Sequence, residues 1–254
     1  MPSLEALVAA GHEIVLVVTR PDKRRGRGAD LVPTPVKAAA IAHGLTVSHE
    51  VDDVLQANAE LGVVVAFGKI IKPHVLDALP MVNVHFSLLP RWRGAAPVER
   101  AVLAGDEETG VCIMRVDVGL DTGDVFARRS VAIGAEARAD ELTARLATIG
   151  AELLVETLHD GLGAGEPQVG EPTYAAKIDS AELQLDMSRP PEDLVRTTRI
   201  GRAWTTVNGK RLIVWRASVV DGQFEPLEVQ PEGKGRMDAA QWRRGQPAPV
   251  VLGS

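Results

Sequence analysis

Runs of apolar residues with the length of a β-strand alternate with helix-like segments over the first part of the chain. Residues 12–19 (HEIVLVVT), 61–67 (LGVVVAF) and 82–86 (VNVHF) are rich in valine and lack a strict apolar–polar alternation. Strands of this kind are typically buried on both faces, as when helices cover both sides of a parallel sheet. The pattern therefore predicts an α/β fold with a doubly wound, mostly parallel sheet.

Helix-like segments separate these runs, and Gly11 and Gly44 stand where two of the helices are expected to end. Helices are predicted at 2–11, 36–44, 53–61, 73–79 and 138–159, and two further strands at 111–116 and 125–133. The two further strands extend the same sheet.

The pattern changes near residue 160. Residues 161–172 (GLGAGEPQVGEP) are half glycine and proline, which is typical of an exposed connector. Farther on, Asn208-Gly209 separates two strand-like runs and predicts a β-hairpin. We therefore predict three parts: a catalytic domain at 1–160, a linker at 161–180 and a β-rich C-terminal domain at 181–254.

The composition limits the class of protein. The chain has 254 residues and a formal net charge of −6, so any contact with nucleic acid must come from a local basic patch. It contains no run of about eighteen apolar residues, and its first residues lack the features of a signal peptide. Cys112 is the only cysteine, so neither a disulfide framework nor a cysteine metal cluster is expected. These features favour a cytoplasmic location.

Polar side chains gather where predicted strands end, which is where open α/β sheets bind ligands. Asn83, His85 and Ser87 alternate along one face of a strand that otherwise carries apolar residues. Asp121, in the glycine-containing loop DVGLDTGD at 117–124, is a candidate partner for the histidine. The alternatives are a hydrogen-bonded structural histidine and an aspartate that only forms a turn.

A second group of polar residues is basic. Five cations lie within eight residues between glycines and prolines: Arg20, Lys23, Arg24, Arg25 and Arg27. Such a run is often only a solvated loop, but beside a catalytic domain it favours contact with phosphates.

The segments NVHFSLLPRWRGAAPVERA and GVCIMRVDVGLDTGD resemble methionyl-tRNA formyltransferases, and so do TRPDKRRGRGADLVPTPVK and EVQPEGKGRMDAAQW. The resemblance implies a formyltransferase-type Rossmann-like domain followed by a small barrel-like domain of the OB type. It implies transfer of a formyl group from 10-formyltetrahydrofolate to methionine on initiator Met-tRNA, with no metal. The expected partners are the tRNA and folate, and neither a membrane nor DNA.

The resemblance also implies roles for single residues. His85 would be the general base, Asn83 would donate to the oxyanion, and Asp121 would orient and charge-balance the histidine. The implied folate-binding residues are Ala66, Phe67, Gly68, Ser87, Leu88, Leu89, Pro90, Asp117, Gly119 and Leu120. The implied tRNA-binding residues are Arg20, Lys23, Arg24, Arg25, Arg27, Lys210 and Arg211.

The chain departs from the family at several places. The family begins with a strand ending in a Gly-Thr-Pro turn, whereas this sequence begins at the helix that follows, and its C-terminal part is short. We therefore expect a chain truncated at its N-terminus, with a slot in the sheet and unpaired backbone groups. Phe67 and Phe86 replace a common tyrosine and glycine. The alternatives are a sugar-nucleotide formyltransferase and a non-catalytic RNA-binding remnant.

Overall fold

The computed structural model describes residues 1–24, 31–247 and 250–254, and the chain divides into two compact units. The first unit comprises Met1–Ala95, Gly110–Val131 and Arg145–Tyr174, and the second comprises Ala96–Thr109, Ala132–Ala144 and Ala175–Ser254. This division differs from the predicted boundaries at 160 and 180, because the second unit includes two short segments from the earlier part of the chain.

The helices and strands follow the predicted order closely. The helices are α1 (Pro2–Ala9), α2 (Pro35–Ala42), α3 (Pro73–Ala78), α4 (Pro97–Ala104), α5 (Ala139–Asp160), α6 (Pro191–Ile200) and α7 (Ala239–Arg244). The strands are β1 (Val17–Val18), β2 (Lys23–Arg24), β3 (Leu31–Val32), β4 (Val47–Ser48), β5 (Gly62–Val65), β6 (Met81–His85), β7 (Arg93–Gly94), β8 (Glu108–Arg115), β9 (Val125–Ala132), β10 (Tyr174–Ala175), β11 (Ala203–Val207), β12 (Lys210–Val220), β13 (Gln223–Pro231) and β14 (Met237–Asp238). The helix predicted at 53–61 is instead a short 3₁₀ helix that starts two residues earlier, Val51–Gln56.

The prediction of one mostly parallel sheet is wrong in how the strands pair, because they form separate sheets with both parallel and antiparallel pairs. β1 pairs with β4 in a two-stranded parallel sheet, and a separate sheet has the order β5-β6-β8-β9. In the larger sheet β5 runs parallel to β6, but β6 runs antiparallel to β8. The apolar run at 12–19 becomes a strand only at Val17–Val18, because β1 and β4 are paired over just two residues. The coarser prediction of a mixed α/β fold is confirmed.

The core of the first unit fixes β6 in place. Val82 and Val84 are buried, as is Ile113 of the neighbouring β8. Helix α5 lies close against this sheet at Gly150, where a Cβ would come within 2.7 Å of a methyl group of Val84. The lack of a side chain at Gly150 therefore lets the helix approach β6 closely, and the close-packed interior holds the strand rigidly.

The second unit contains an antiparallel sheet with the order β11-β12-β13-β14. The predicted Asn208-Gly209 hairpin is confirmed: Val207 pairs with Lys210, and both turn residues have positive φ values, as a two-residue hairpin turn requires. Residues of α6, α7 and three of the strands form its core: Leu194, Trp242, Ala203, Val207, Leu212, Val214 and Val229. The OB-type barrel remains a prediction, because β11 and β14 are the two edges of this sheet.

None of the helices in the described ranges is both long enough and apolar enough to cross a membrane.

Candidate active site

Strand β6 places Asn83 and His85 on one face, two residues apart. His85 is 5% exposed, whereas Asn83 is half-buried. Among the described residues, no side chain or backbone group hydrogen-bonds the Asn83 carboxamide. This amide is therefore available to a bound molecule, while the histidine is held firmly at the end of the strand.

The contacts of His85 determine which of its two ring nitrogens carries the proton in the neutral form. Its Nε2 lies 3.0 Å from the carbonyl oxygen of Trp92, and its Nδ1 lies 3.6 Å from Oδ2 of Asp121. A carbonyl oxygen can only accept a hydrogen bond, so Nε2 carries the proton of the neutral ring and Nδ1 carries the basic lone pair. The basic nitrogen of the imidazole therefore faces the carboxylate.

Burial lowers the pKa of His85 below its ordinary value, and the nearby Asp121 carboxylate and the Trp92 carbonyl partly offset this effect. The imidazole is therefore neutral near pH 7 and ready to take up a proton at Nδ1. Once protonated, the ring gains a stabilising interaction with Asp121.

The turn after β6 is built by its own backbone contacts. The Ser87 hydroxyl, which is fully buried, donates to the carbonyl oxygen of Arg91 over 2.6 Å. Trp92 and Gly94 both have positive φ values, and the Gly94 N–H donates to Oδ2 of Asp121 over 2.8 Å. This turn therefore brings the Trp92 carbonyl to His85 and an amide donor to Asp121.

The loop at 117–124 carries Asp121 and brings its carboxylate to Nδ1 of His85. Oδ1 of Asp117 accepts from the Gly119 N–H and the Thr122 hydroxyl, a local arrangement that closes the loop on itself. A Cβ at Gly123 would lie 2.1 Å from the carbonyl oxygen of Arg115, so this position requires glycine. Asp121 itself has a φ of 50°, which is uncommon for a residue with a side chain.

A segment that the sequence predicts as a connector completes the site. Glu166 and Val125 exchange backbone hydrogen bonds of 2.8 and 2.9 Å, and the Thr173 hydroxyl accepts from the Trp92 N–H over 2.9 Å. Between them, Gln168 hydrogen-bonds both Arg93 and the 117–124 loop. Glycine and proline content at 161–172 gives no signal for these contacts, which join residues far apart in sequence.

The residues predicted to bind folate fall into two sets. Ala66, Gly68, Asp117, Gly119 and Leu120 are exposed, on the loop after β5 and the loop at 117–124. Phe67, Leu88 and Pro90 are half-buried, whereas Ser87 and Leu89 are buried and support the turn. The exposed set is accessible to a ligand, and the buried pair shapes the surface around it.

The basic segment is a hairpin stem where the structure describes it. Lys23 and Arg24 form β2, which pairs with β3, and both side chains are exposed, as is Arg20. Lys37 forms an ion pair with Asp22 over 2.8 Å at the base of this stem. Arg25 and Arg27 lie outside the described residues.

The second unit presents Lys210 and Arg211 at the start of β12, both exposed. The guanidinium of Arg211 lies 4.3 Å from the ring centre of Trp204, and that of Arg236 lies 3.4 Å from the ring centre of Trp215. The large apolar rings of Trp204, Trp215 and Trp242 favour a core position for each of them. Only Trp242 is buried, because Trp204 and Trp215 lie on the outer face of their strands.

The candidate site lies within a stretch that matches a known family. The formyl transferase family matches residues 3–158, which include Asn83, His85 and Asp121. The chain belongs to the formyl transferase family. This formyl transferase is 42% identical to the methionyl-tRNA formyltransferase of Symbiobacterium thermophilum over 287 aligned residues, covering 96% of this chain and 88% of the relative.

Two solved structures share the fold of this formyl transferase. The methionyl-tRNA formyltransferase of Clostridium thermocellum is 22% identical, with a TM-score of 0.63, covering 78% of this chain and 92% of that one. HypX of Aquifex aeolicus in complex with tetrahydrofolic acid is 15% identical, with a TM-score of 0.59, covering 80% of this chain and 43% of that one.

Proposed function

We propose that this protein transfers the formyl group of 10-formyltetrahydrofolate to the amino group of methionine on initiator Met-tRNA, in translation initiation. The observation that carries the proposal is the 42% identity to a methionyl-tRNA formyltransferase over 96% of the chain. The geometry of Asn83, His85 and Asp121 supports it, because these three groups supply what formyl transfer needs.

The reaction begins when the methionine amine attacks the formyl carbon. A new carbon–nitrogen bond forms, and the carbonyl oxygen becomes an oxyanion in a tetrahedral intermediate. The Asn83 carboxamide is unpartnered among the described residues and donates a hydrogen bond to this oxygen. A donor placed in this way contributes roughly 3 kcal/mol in comparable sites.

The amine must also lose a proton. His85 accepts it at Nδ1, because Nε2 is already bound to the Trp92 carbonyl. Asp121 then stabilises the imidazolium through Nδ1, and the proton passes to N10 of the folate as the bond between N10 and the formyl carbon breaks. The lowered pKa of His85 suits this role, since the ring starts neutral and returns its proton readily.

The two exposed loops are the proposed folate site. Ala66 and Gly68 follow β5, and Asp117, Gly119 and Leu120 lie on the loop that also carries Asp121. Leu120 is largely exposed and offers apolar surface to a flat ring. The same loop would therefore bind the formyl donor and position the carboxylate.

The tRNA is proposed to meet two basic surfaces. One is the basic segment, whose sequence carries Arg20, Lys23, Arg24, Arg25 and Arg27. The other is the start of β12 in the C-terminal sheet, where Lys210 and Arg211 are exposed. Both suit phosphate contact, which provides most of the affinity for nucleic acid in many complexes and weakens with salt.

A direct assay separates this proposal from its alternatives. The purified chain is given 10-formyltetrahydrofolate with initiator Met-tRNA, or with an amino-sugar nucleotide. We expect formyl-Met-tRNA as the product of the first reaction and no product in the second. Formylation of the sugar nucleotide alone, or binding of tRNA without formylation, would refute the proposal.

A further inference from the structure

Both the oxygen and the nitrogen of the Gln168 carboxamide form hydrogen bonds within the first unit. Its Oε1 accepts from Nε and an Nη of Arg93, over 3.0 and 2.6 Å. Its Nε2 donates to the carbonyl oxygens of Asp121 and Gly123, over 2.9 and 2.8 Å. The side chain is half-buried, and four hydrogen bonds fix its orientation.

These contacts require both the acceptor oxygen and the donor NH₂ group of a carboxamide. A glutamate could still accept from Arg93, but it has no N–H to offer the two carbonyl oxygens. A lysine could donate to the carbonyls but could not accept from the guanidinium. The arrangement is therefore specific to a carboxamide of this reach.

The NH₂ group of Gln168 contacts Asp121 directly, and its oxygen contacts Asp121 indirectly, through Arg93 and Gly94. On one side, Gln168 holds the backbone of Asp121, which has an uncommon positive φ. On the other, it fixes Arg93, and the next residue, Gly94, donates its N–H to the Asp121 carboxylate.

We infer that Gln168 is a positioning residue for formyl transfer, which holds the Asp121 carboxylate facing Nδ1 of His85. The inference rests on the proposed function for its reaction and on the hydrogen bonds of Gln168 for its geometry. Gln168 itself is not placed against the reacting atoms. It acts by keeping the loop at 117–124 and the turn after β6 in one arrangement.

The protonation of His85 reports on this arrangement directly. Among the described residues, the titratable groups that face its ring are Asp121 and, on β8 in register with it, Cys112. Burial raises the pKa of the Cys112 thiol, so this group stays neutral near pH 7. If Asp121 moves away, the carboxylate no longer offsets burial, and the pKa of His85 falls further.

The test compares Gln168→Ala and Gln168→Glu with the parent and with Gln223→Ala, a control at an exposed glutamine in the second unit. We expect both Gln168 variants to lose kcat by about 10- to 100-fold with little change in KM, because small misplacement of catalytic groups is costly. The acidic limb of the kcat/KM profile should move to lower pH in Gln168→Ala. The control should match the parent in each respect.

A double-mutant cycle distinguishes positioning from a general structural role. In the background of Asp121→Asn, Gln168→Ala should cost little more, since the group it positions is already impaired. An unchanged kcat in Gln168→Ala, or the same fold loss in both backgrounds, would overturn the inference.

The NMR titration of His85 needs no turnover. A lower pKa of His85 in Gln168→Ala than in the parent supports the inference even if the parent fails to formylate Met-tRNA, which would refute only the proposed function. An unchanged pKa refutes the inference. Should Gln168→Ala fail to fold, Gln168→Leu, which is also neutral and lacks the carboxamide but keeps more of the side-chain volume, supplies the same measurement.

Discussion

The histidine–aspartate cluster and the basic hairpin, both in the first unit, are held in very different ways. His85 and Ser87 are buried, and backbone groups of the turn after β6 hydrogen-bond the side chains of both His85 and Asp121. The hairpin stem has two paired residues on each strand, exposed side chains, and an ion pair at its base. Proton transfer requires fixed distances, whereas attraction to phosphates acts over several ångströms and tolerates movement. Substitutions in the two regions should therefore differ in kind as well as in size.

The largest expected effect comes from His85→Ala. Removal of the proposed base should lower the single-turnover rate of formyl transfer by about 10²- to 10⁴-fold, the usual contribution of general acid–base catalysis. Binding of Met-tRNA should change little, because the buried ring is not placed against phosphate. A rate within about threefold of the parent would remove His85 from the proposed mechanism.

Asn83→Ala should have the next largest effect. Loss of one oxyanion donor typically costs about 10²- to 10³-fold in kcat. The melting temperature should stay near that of the parent, since the Asn83 amide makes no hydrogen bond with any described residue. Asn83→Asp is the matched variant: it keeps the size but replaces the donor with a carboxylate, so it should be at least as impaired. Equal rates for the parent and Asn83→Asp would exclude the oxyanion role.

In the basic segment, Arg27→Ala should act on substrate use and leave the chemical step intact. We expect a higher KM for Met-tRNA and a salt dependence flatter by roughly one unit of slope, the signature of one lost phosphate contact. Arg27→Lys tests whether a forked contact is needed, because lysine cannot reproduce the planar pair of donors. Lys23→Ala should have a smaller effect. Unchanged Met-tRNA kinetics in Arg27→Ala would exclude Arg27 from the tRNA site.

The smallest effect is expected for the anchor of the hairpin. Asp22→Asn removes the charge partner of Lys37, and a partly exposed ion pair is typically worth about 0–1 kcal/mol. The KM for Met-tRNA should rise by no more than about fivefold, while kcat stays the same. A large fall in kcat would mean that the hairpin and the histidine–aspartate cluster are not independent.

The sequence predicts the two regions unequally well. Alternation along 83–87 identifies the face of β6 that carries Asn83 and His85, because the two-residue period of a strand is a local property. It leaves open whether Asp121 is a histidine partner or a turn residue, and the structure gives this aspartate both features. Gln168 has no comparable signal, since its hydrogen bonds span 45 to 75 positions of the chain.

Two other differences also come from tertiary contacts. The apolar run at 12–19 satisfies the pattern of a buried strand, but strand length depends on the partner, and β4 supplies only two residues. Trp204 and Trp215 are apolar enough for a core, yet the alternation of β11 and β12 turns them outward, where arginines stack on their rings. In both cases the neighbouring strand decides the outcome.

The separation of the β1–β4 pair from the larger sheet has a consequence for local opening of the fold. Leu4, Val17, Ala39 and Ala40 form a small hydrophobic cluster of their own around this pair. The β1–β4 pair with this cluster can unfold while the larger sheet stays native. Its amide protons should therefore exchange with deuterium well before those of β8, whose interior residues are fully buried. The amides of Val17 and Thr19, bonded to Thr46 and Ser48, would report this opening. The hairpin lies between β1 and α2 in the chain, and both of these contribute to the cluster. Binding of tRNA to the hairpin should therefore stabilise the β1–β4 pair and slow this exchange.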